Sequence, residues 1–266
     1  FYLANEPLIR VKILRIKPRH QDLILLNLHH IITDGWSQGI IYKELKKFYR
    51  AYVEGHEVQL PPLPIQYADF AIWQRQQDFT PQLDYWGKVM KGYDSHLELP
   101  QDYPRTANPI MSMSIIEYSY PQELVERLAT FCQQQHITLF MMLYASLAVT
   151  ISHYTHRLDV CIGTTVAGRR YAHAEALIGF FVNILPLRML LSNDMSIEDI
   201  LNQAKALILA SLEHQYCPYE HIVNALNIQH KERQTSLVPV MIRHQNFPMT
   251  DDVKNWHTQP KIKKSA

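Results

Sequence analysis

The segment NLHHIITDGWS, residues 27–37, places several titratable side chains at the end of an apolar run. It contains the adjacent pair His29 and His30, followed by Asp34 and Gly35. An imidazole can accept or donate a proton near pH 7. A histidine pair alone arises by chance in a chain with 14 histidines, but a pair followed by Asp and Gly at this spacing is specific. The composite pattern predicts a site that transfers a proton or orients a nucleophile.

The run DLILLNLHH, residues 22–30, is typical of a buried strand, in which neighbouring side chains point to opposite faces. We therefore expect His30, nearer the strand end, to face a cavity and His29 to pack as a structural histidine. Asp34 lies in the turn to the next helix and is predicted to cap that helix or to form an ion pair. Gly35 is expected to supply backbone freedom or a close approach.

Two other interpretations of these residues stay open. A strand-to-helix turn with a capping aspartate and two core histidines would require no chemistry. A metal site is the weaker alternative, because the pair with one nearby carboxylate lacks the helical i, i+4 histidine spacing of common zinc sites. We expect no metal.

Apolar periodicity assigns the elements that must position this segment. Residues 7–16 and 22–30 are predicted strands, and residues from Trp36 to Tyr52 fall at helical spacing with a stop near Gly55. The further predicted helices are 67–76, 82–90, 121–135 with Pro121 at its first position, a buried 138–154, and 196–214 capped by Ser196. The further predicted strands are 111–120, 159–169, 180–190 and 238–246. The fold class is therefore α/β or mixed α+β.

Composition excludes several classes of partner. The 26 Lys and Arg residues nearly balance the 25 Asp and Glu residues, so no strong field attracts nucleic acid or an anionic membrane. The distant cysteines Cys132, Cys161 and Cys217 predict reduced thiols in a cytoplasmic protein, and no segment reaches the roughly 18 apolar residues of a membrane span. Because the chain starts without Met or a signal pattern, we expect it to be part of a longer protein.

The segment HHIITDGWS resembles the HHxxxDG signature of the condensation domains of nonribosomal peptide synthetases, which share the fold of chloramphenicol acetyltransferase. Further patterns follow in the family's order: YADFAIWQ resembles YxDFAxW, IGFFVNILPLR resembles GxFVNxxxxR, and HQYCPYEHIV resembles HQxxPFExxV with Tyr219 for Phe. RQTSLVPVMIRHQN resembles RxxSxxPxxxxxxxxQN with a departure at Val238 and with five rather than eight residues between Pro239 and Gln245. The resemblance covers about residues 7–247. The family's two N-terminal motifs are absent, which implies an incomplete N-terminal lobe.

The resemblance implies two related lobes with a tunnel between them. Residues 1–95 would be the remaining part of the N-terminal lobe, and residues 96–266 the C-terminal lobe, incomplete at its end. Donor and acceptor peptidyl carrier domains would bring thioesters on their phosphopantetheine arms, with no cofactor bound permanently, and an adenylation domain would be a neighbour. His30 would help the acceptor amine to attack the donor thioester, mainly by positioning the amine and stabilising the tetrahedral intermediate.

The resemblance also implies roles for residues around the pair. Asp34 would be structural and paired to an arginine of the other lobe. VAGRR offers Arg169 and Arg170, of which the family's GR element favours Arg169. The Gly35 N–H would face the developing oxyanion, and Asn183 would line the tunnel or hold the lobes together.

The remaining motif residues are expected to support the site. Trp36 and Ser37 lie next to it, although Trp36 also fits the core face of its helix. Tyr67, Asp69 and Trp73 are expected to pack rather than react.

Several related functions compete with condensation. A heterocyclisation domain would carry DxxxxD in place of HHIITDG, and an epimerisation domain would differ in the later motifs. A stand-alone acyltransferase that uses acyl-CoA or an acyl carrier and a non-catalytic docking platform for carriers stay open. The intact histidine motif disfavours the platform, which has no need of His30.

Overall fold

The computed structural model describes residues 1–16, 21–94, 97, 99–102, 114–226 and 237–245. Its elements in chain order are β1 (Ile9–Ile16), β2 (Gln21–Leu28), α1 (Gly35–Glu54), α2 (Tyr67–Arg75), α3 (Thr80–Val89), α4 (Gln122–Gln134), α5 (Leu139–Thr155), β3 (Asp159–Val166), α6 (Ala172–Glu175), β4 (Asn183–Leu190), α7 (Ile197–Glu213), α8 (Tyr219–Ala225) and β5 (Met241–Ile242). This mixture of helices and strands confirms the predicted class.

The chain forms two compact units. Unit 1 comprises Phe1–Asp78 and Ala167–Val182 together with Gln245, and unit 2 comprises the described parts of Phe79–Val166 and Asn183–His244. Unit 2 begins at Phe79 rather than at residue 96, and the chain leaves it after β3 and returns to it at β4. The predicted lobes, residues 1–95 and 96–266, stay a prediction.

The hairpin of unit 1 ends before the histidines. β1 and β2 pair antiparallel from Ile9 opposite Leu28 to Ile16 opposite Gln21. His29 follows in extended backbone and caps a single 3-10 turn at His30–Ile32. The prediction that the strand continues through both histidines is therefore wrong, and alternation along a strand does not decide where their side chains point.

The predicted burial of β2 is also wrong. All eight residues of β1 are exposed, and Leu23, Ile24 and Leu25 of β2 keep 46%, 43% and 41% of their surface. A continuous apolar run predicts a strand that is covered on both faces. The described part of the chain leaves both faces of this two-stranded sheet largely open.

Local capping signals define α1. Asp34 accepts the Ser37 N–H through its side chain at the N-terminus, and Gly55 ends the helix in left-handed backbone with φ 72°. Glycine adopts that conformation without the penalty that a Cβ would bring. Both ends of α1 therefore follow from the sequence.

Unit 2 is built on a three-stranded sheet in the order β4-β3-β5. β3 is antiparallel to β4 and parallel to β5. As predicted, α5 is buried: its Tyr144 is fully enclosed and donates a hydrogen bond to the Leu187 carbonyl oxygen at 3.1 Å. The Ser196 cap of α7 is also confirmed.

Several other sequence-based boundaries change. Residues 114–120 form no strand, and the late strand shrinks to Met241–Ile242. Pro121 is the N-cap of α4 rather than its first helical residue. Residues 103–113 and 246 fall outside the described residues.

Among the described residues, no single helix has both the length and the apolar character to cross a membrane. α4 and α5 meet that criterion when they are taken as a pair, and the two are bent by 101° relative to each other.

The three cysteines are free, buried thiols, and burial raises the pKa of each, that of Cys217 to about 11.

At pH 8 we expect iodoacetamide to alkylate Cys217 in the folded chain at least about 100-fold more slowly than in urea, because the thiolate is the nucleophile. A raised thiol pKa stabilises the fold fully below about pH 8.5 and ceases to do so as the pH rises through about 11. Intact mass measures the alkylation, and fast labelling of the native chain would contradict the predicted burial.

Candidate active site

His29 and His30 have different surroundings, both in unit 1. The Ile31 N–H donates to Nδ1 of His29 at 3.1 Å, and the His29 ring meets Phe1 edge to face at 5.8 Å. His30 is an exposed residue, and its Nδ1 lies 2.6 Å from the Thr33 carbonyl oxygen. His29 therefore shapes the turn, while the Nδ1 of His30 is held by the residue that ends it.

These contacts determine the tautomer of each ring in its neutral form. A carbonyl oxygen only accepts, so His30 Nδ1 must carry the proton and Nε2 keeps its lone pair. His29 is the reverse, because its Nδ1 accepts from a backbone N–H. His30 thus offers Nε2 as a proton acceptor.

We expect the two neutral rings to show opposite tautomers by ¹⁵N NMR. His30 should give a protonated Nδ1 and a bare Nε2, and His29 a bare Nδ1 and a protonated Nε2, at a pH where both are neutral. His30→Ala and His29→Ala assign the signals. The same tautomer in both rings would contradict the structure.

Asp34 is the centre of a buried polar cluster in unit 1. Its side chain is fully buried, and Oδ1 accepts the Ser37 N–H at 2.8 Å. Oδ2 accepts the Phe181 N–H at 3.0 Å. Asp34 therefore joins the start of α1 to the segment that follows α6.

Arg169 is the ionic partner of Asp34. Its Nη2 lies 3.1 Å from Asp34 Oδ1, and the arginine side chain keeps only 2% of its exposure. The same Nη2 donates to Ser37 Oγ at 2.8 Å, while Nη1 donates to the carbonyl oxygens of Ala174 and Leu177. Burial lowers the pKa of the Arg169 guanidinium, and the charge of Asp34 opposes that effect.

The Arg169 guanidinium also lies 4.1 Å from the centre of the Phe181 ring, a cation–π contact. The predicted pair of Asp34 with Arg169 is therefore present. The segment that carries Arg169 falls in the predicted C-terminal lobe, residues 96–266, but it belongs to unit 1 together with Asp34. Arg170, the alternative partner, is exposed.

Ser37 connects this cluster to a glycine of the GFFVN segment. Its Oγ donates to the Gly179 carbonyl oxygen at 2.8 Å and accepts the Gly179 N–H at 3.1 Å. A Cβ at Gly179 would overlap the ring of Tyr67, whose O–H donates to the Phe180 carbonyl oxygen at 2.8 Å. Burial, followed by the charge of Asp34, raises the pKa of Tyr67. Three of the quoted motifs therefore meet in one buried cluster.

Trp36 and Gly35 occupy the first turn of α1. Trp36 Nε1 donates to the Glu175 carbonyl oxygen at 2.9 Å, and its ring lies beside Arg169 at 5.8 Å. Gly35 is exposed and does not take left-handed backbone. Its predicted backbone freedom is therefore not used, and its role toward an oxyanion stays a prediction.

Asn183 belongs to unit 2 and has a full set of backbone partners there. Its Nδ2 donates to the carbonyl oxygens of Gln215 and Cys217 at 2.8 and 2.7 Å. Its Oδ1 accepts the Tyr219 N–H at 3.0 Å. Both donors and the acceptor of the amide are occupied, so Asn183 holds the loop before α8 within its own unit.

Sequence reasoning missed three contributors. Thr33 supplies the carbonyl that orients His30, Gly179 accommodates Tyr67, and Phe180 places its ring against His30 at 5.2 Å. The last two lie inside the quoted GFFVN segment, so its spacing was a usable signal. Thr33 acts through its backbone, for which residue type gives no signal.

Neither a metal site nor the groove on α1 involves this cluster in the part of the chain that the structure describes. Within the described ranges, no group of three or more His, Cys, Asp or Glu side chains is placed to hold a metal ion. An open groove of about 420 Å³ on α1 is lined by Leu45, Phe48, Tyr49, Ala51, Tyr52, His56 and Val58. It includes none of the candidate site residues.

The chain is similar to proteins of a known family. A family model described as Condensation domain matches residues 1–265. The chain is 38% identical over 256 residues to a linear gramicidin synthase polypeptide of Brevibacillus parabrevis, covering 95% of this chain and 5% of that protein. It is 34% identical over 250 residues to Malpinin synthetase of Mortierella alpina, covering 92% of this chain and 3% of that protein. The chain therefore spans a small part of each of these relatives.

Solved structures share the fold. A four-domain nonribosomal peptide synthetase in its holo form, bound to AMP and glycine, aligns with a TM-score of 0.83 and 22% identity over 96% of this chain and 19% of that one. The X-domain from teicoplanin biosynthesis aligns with a TM-score of 0.82 and 24% identity over 91% of this chain and 55% of that one. The expected chloramphenicol acetyltransferase-like fold is confirmed, and the chain belongs to the condensation domain family.

Proposed function

We propose that this chain forms an amide bond within a nonribosomal peptide synthetase. The donor is an acyl or peptidyl thioester on one carrier domain, and the acceptor is the amine of an aminoacyl group on another. The observation that carries the proposal is the hydrogen bond from Nδ1 of the exposed residue His30 to the Thr33 carbonyl oxygen, which leaves Nε2 able to accept a proton.

In the proposed reaction the acceptor nitrogen attacks the thioester carbonyl carbon, forming the C–N bond and a tetrahedral intermediate. Collapse breaks the C–S bond and releases the donor thiol, while the proton lost by nitrogen passes through Nε2 to the sulfur. A neutral amine already attacks thioesters well, so His30 acts chiefly by placing the amine and stabilising the intermediate. The Gly35 N–H, at the positive end of α1, is the proposed oxyanion donor.

Asp34, Arg169 and Ser37 are proposed to act on structure rather than on substrate, because their side chains are buried and bond one another within unit 1. Phosphopantetheine arms enter as part of the substrates and not as a resident cofactor. An adenylation domain as neighbour and a cytoplasmic location stay predictions.

The test uses the longest native polypeptide that contains residues 1–266, mixed with donor and acceptor carriers loaded with candidate aminoacyl groups. Intact-protein mass spectrometry should show dipeptide on the acceptor carrier and free thiol on the donor. Omitting either aminoacyl group is the control.

Two outcomes would overturn the proposal. Product from an acyl-CoA donor but not from a loaded carrier would favour the stand-alone acyltransferase. Carrier binding without product across several loaded pairs would favour the docking platform.

A further inference from the structure

Phe180 lies against the imidazole of His30. The two ring centroids are 5.2 Å apart with an interplanar angle of 86°, the edge-to-face arrangement that aromatic rings prefer. Phe180 nonetheless keeps 40% of its surface exposed. A large apolar ring that remains exposed beside a candidate catalytic group is not explained by core packing.

The backbone that carries Phe180 is held on both sides. Ser37 Oγ forms hydrogen bonds with both the backbone N–H and the carbonyl oxygen of Gly179. The Tyr67 O–H donates a hydrogen bond to the carbonyl oxygen of Phe180. The N–H of Phe181 donates to the buried carboxylate described above. The Phe180 ring therefore projects from a fixed segment.

His30 has less support of its own. The hydrogen bond from Nδ1 to the Thr33 carbonyl oxygen restrains one ring atom, and by itself it leaves His30, an exposed residue, free to change its side-chain torsions. The Phe180 ring, carried on a fixed backbone, restricts those torsions. We infer that Phe180 is a positioning residue that holds the His30 imidazole with Nε2 available for the amide-forming step, an inference that rests on the proposed function.

Phe180→Ala should lower kcat about fivefold and leave KM unchanged, because an aromatic pair of this geometry is worth a factor of roughly two to ten. Phe180→Tyr should restore kcat, since the aromatic ring is kept and the residue is 40% exposed. Tyr67→Phe keeps the packing against Gly179 but removes the hydrogen bond to Phe180, and should give an intermediate loss.

The matched control is Phe131→Ala on α4, which removes a phenylalanine that is 37% exposed and should change neither constant. The second readout is the ¹⁵N spectrum of His30, which requires no turnover. Phe180→Ala should shift the ring from the pure Nδ1–H tautomer towards a mixture, while the urea midpoint reports any general loss of structure.

A lowered kcat together with a mixed tautomer, both reversed by Phe180→Tyr, supports the inference. An unchanged tautomer and unchanged kcat in Phe180→Ala overturn it. A decrease in kcat that is matched by a lower urea midpoint and leaves the tautomer unchanged also overturns it. If the wild type forms no amide, the proposed function fails, and the tautomer measurement still decides whether Phe180 orients His30.

Discussion

Replacing Asp34 by Asn is expected to lower the free energy of unfolding by about 3–5 kcal/mol, the cost of leaving one charge of a buried pair without its partner. Both side chains are almost fully enclosed, so water cannot replace the lost carboxylate. Asparagine keeps one oxygen that can accept the Ser37 N–H, but its NH2 group cannot accept the Phe181 N–H. The change therefore preserves the helix cap while it removes the charge and one hydrogen-bond acceptor. Urea unfolding followed by tryptophan fluorescence measures the effect.

Arg169→Met should cost a similar amount, because it leaves the buried Asp34 carboxylate without its partner. Arg170→Met is the matched control, because Arg170 is the next residue and is exposed. We expect the control to change stability by less than about 1 kcal/mol. Asp34→Asn combined with Arg169→Met should cost clearly less than the sum of the two single changes, since no buried charge is then left alone. Additive costs would show that the two groups are not coupled and would contradict the buried pair.

Gly168→Ala should destabilise the chain by about 3 kcal/mol. Gly168 has φ 66°, which is strained for any residue with a Cβ, and the new Cβ would overlap the Phe181 carbonyl oxygen. Since that oxygen is backbone, it cannot move aside as a flexible side chain would. The same chain turn precedes Arg169, so the change should also loosen the ion pair.

Gly39→Ala, in the same unit, should increase the stability of the chain rather than decrease it. Gly39 lies inside α1, and nothing lies within 4 Å of where its Cβ would stand. Alanine should therefore stabilise the helix by about 0.5–1 kcal/mol. Urea midpoints of the two variants, measured side by side, provide the check, and a shift of both in the same direction would show that local backbone geometry does not govern the effect.

The parts of the site that follow from the sequence depend on short-range signals. Asp34 before a helical pattern predicts a cap, and Gly55 predicts the end of that helix, because both act within a few residues of their own position. The choice between Arg169 and Arg170 depends on the family motif. Geometry alone makes Arg169 the buried one of the two.

The features that the sequence did not predict depend on a side chain that competes with the strand for a backbone N–H, or on contacts between residues far apart in the sequence. The strand ends at Leu28 because the His29 side chain takes a backbone N–H and starts a turn, which an apolar run does not reveal. The exposure of β1 and β2 depends on what covers them, and periodicity does not encode that. The place of Asn183 at a tunnel or between lobes stays a prediction from the resemblance. The structure adds that its amide bonds a loop some 32 residues later, a contact that the sequence separation does not reveal.

The catalytic role of His30 is tested by the single-turnover rate of amide formation between loaded carriers for the wild type and His30→Ala. An imidazole that positions the amine and accepts its proton should be worth about 100-fold in rate. His153→Ala, which removes an exposed histidine of α5, is the control and should match the wild type. A loss of that size in His30→Ala with an unchanged urea midpoint is the predicted result, and equal rates for all three proteins would contradict a catalytic role for His30.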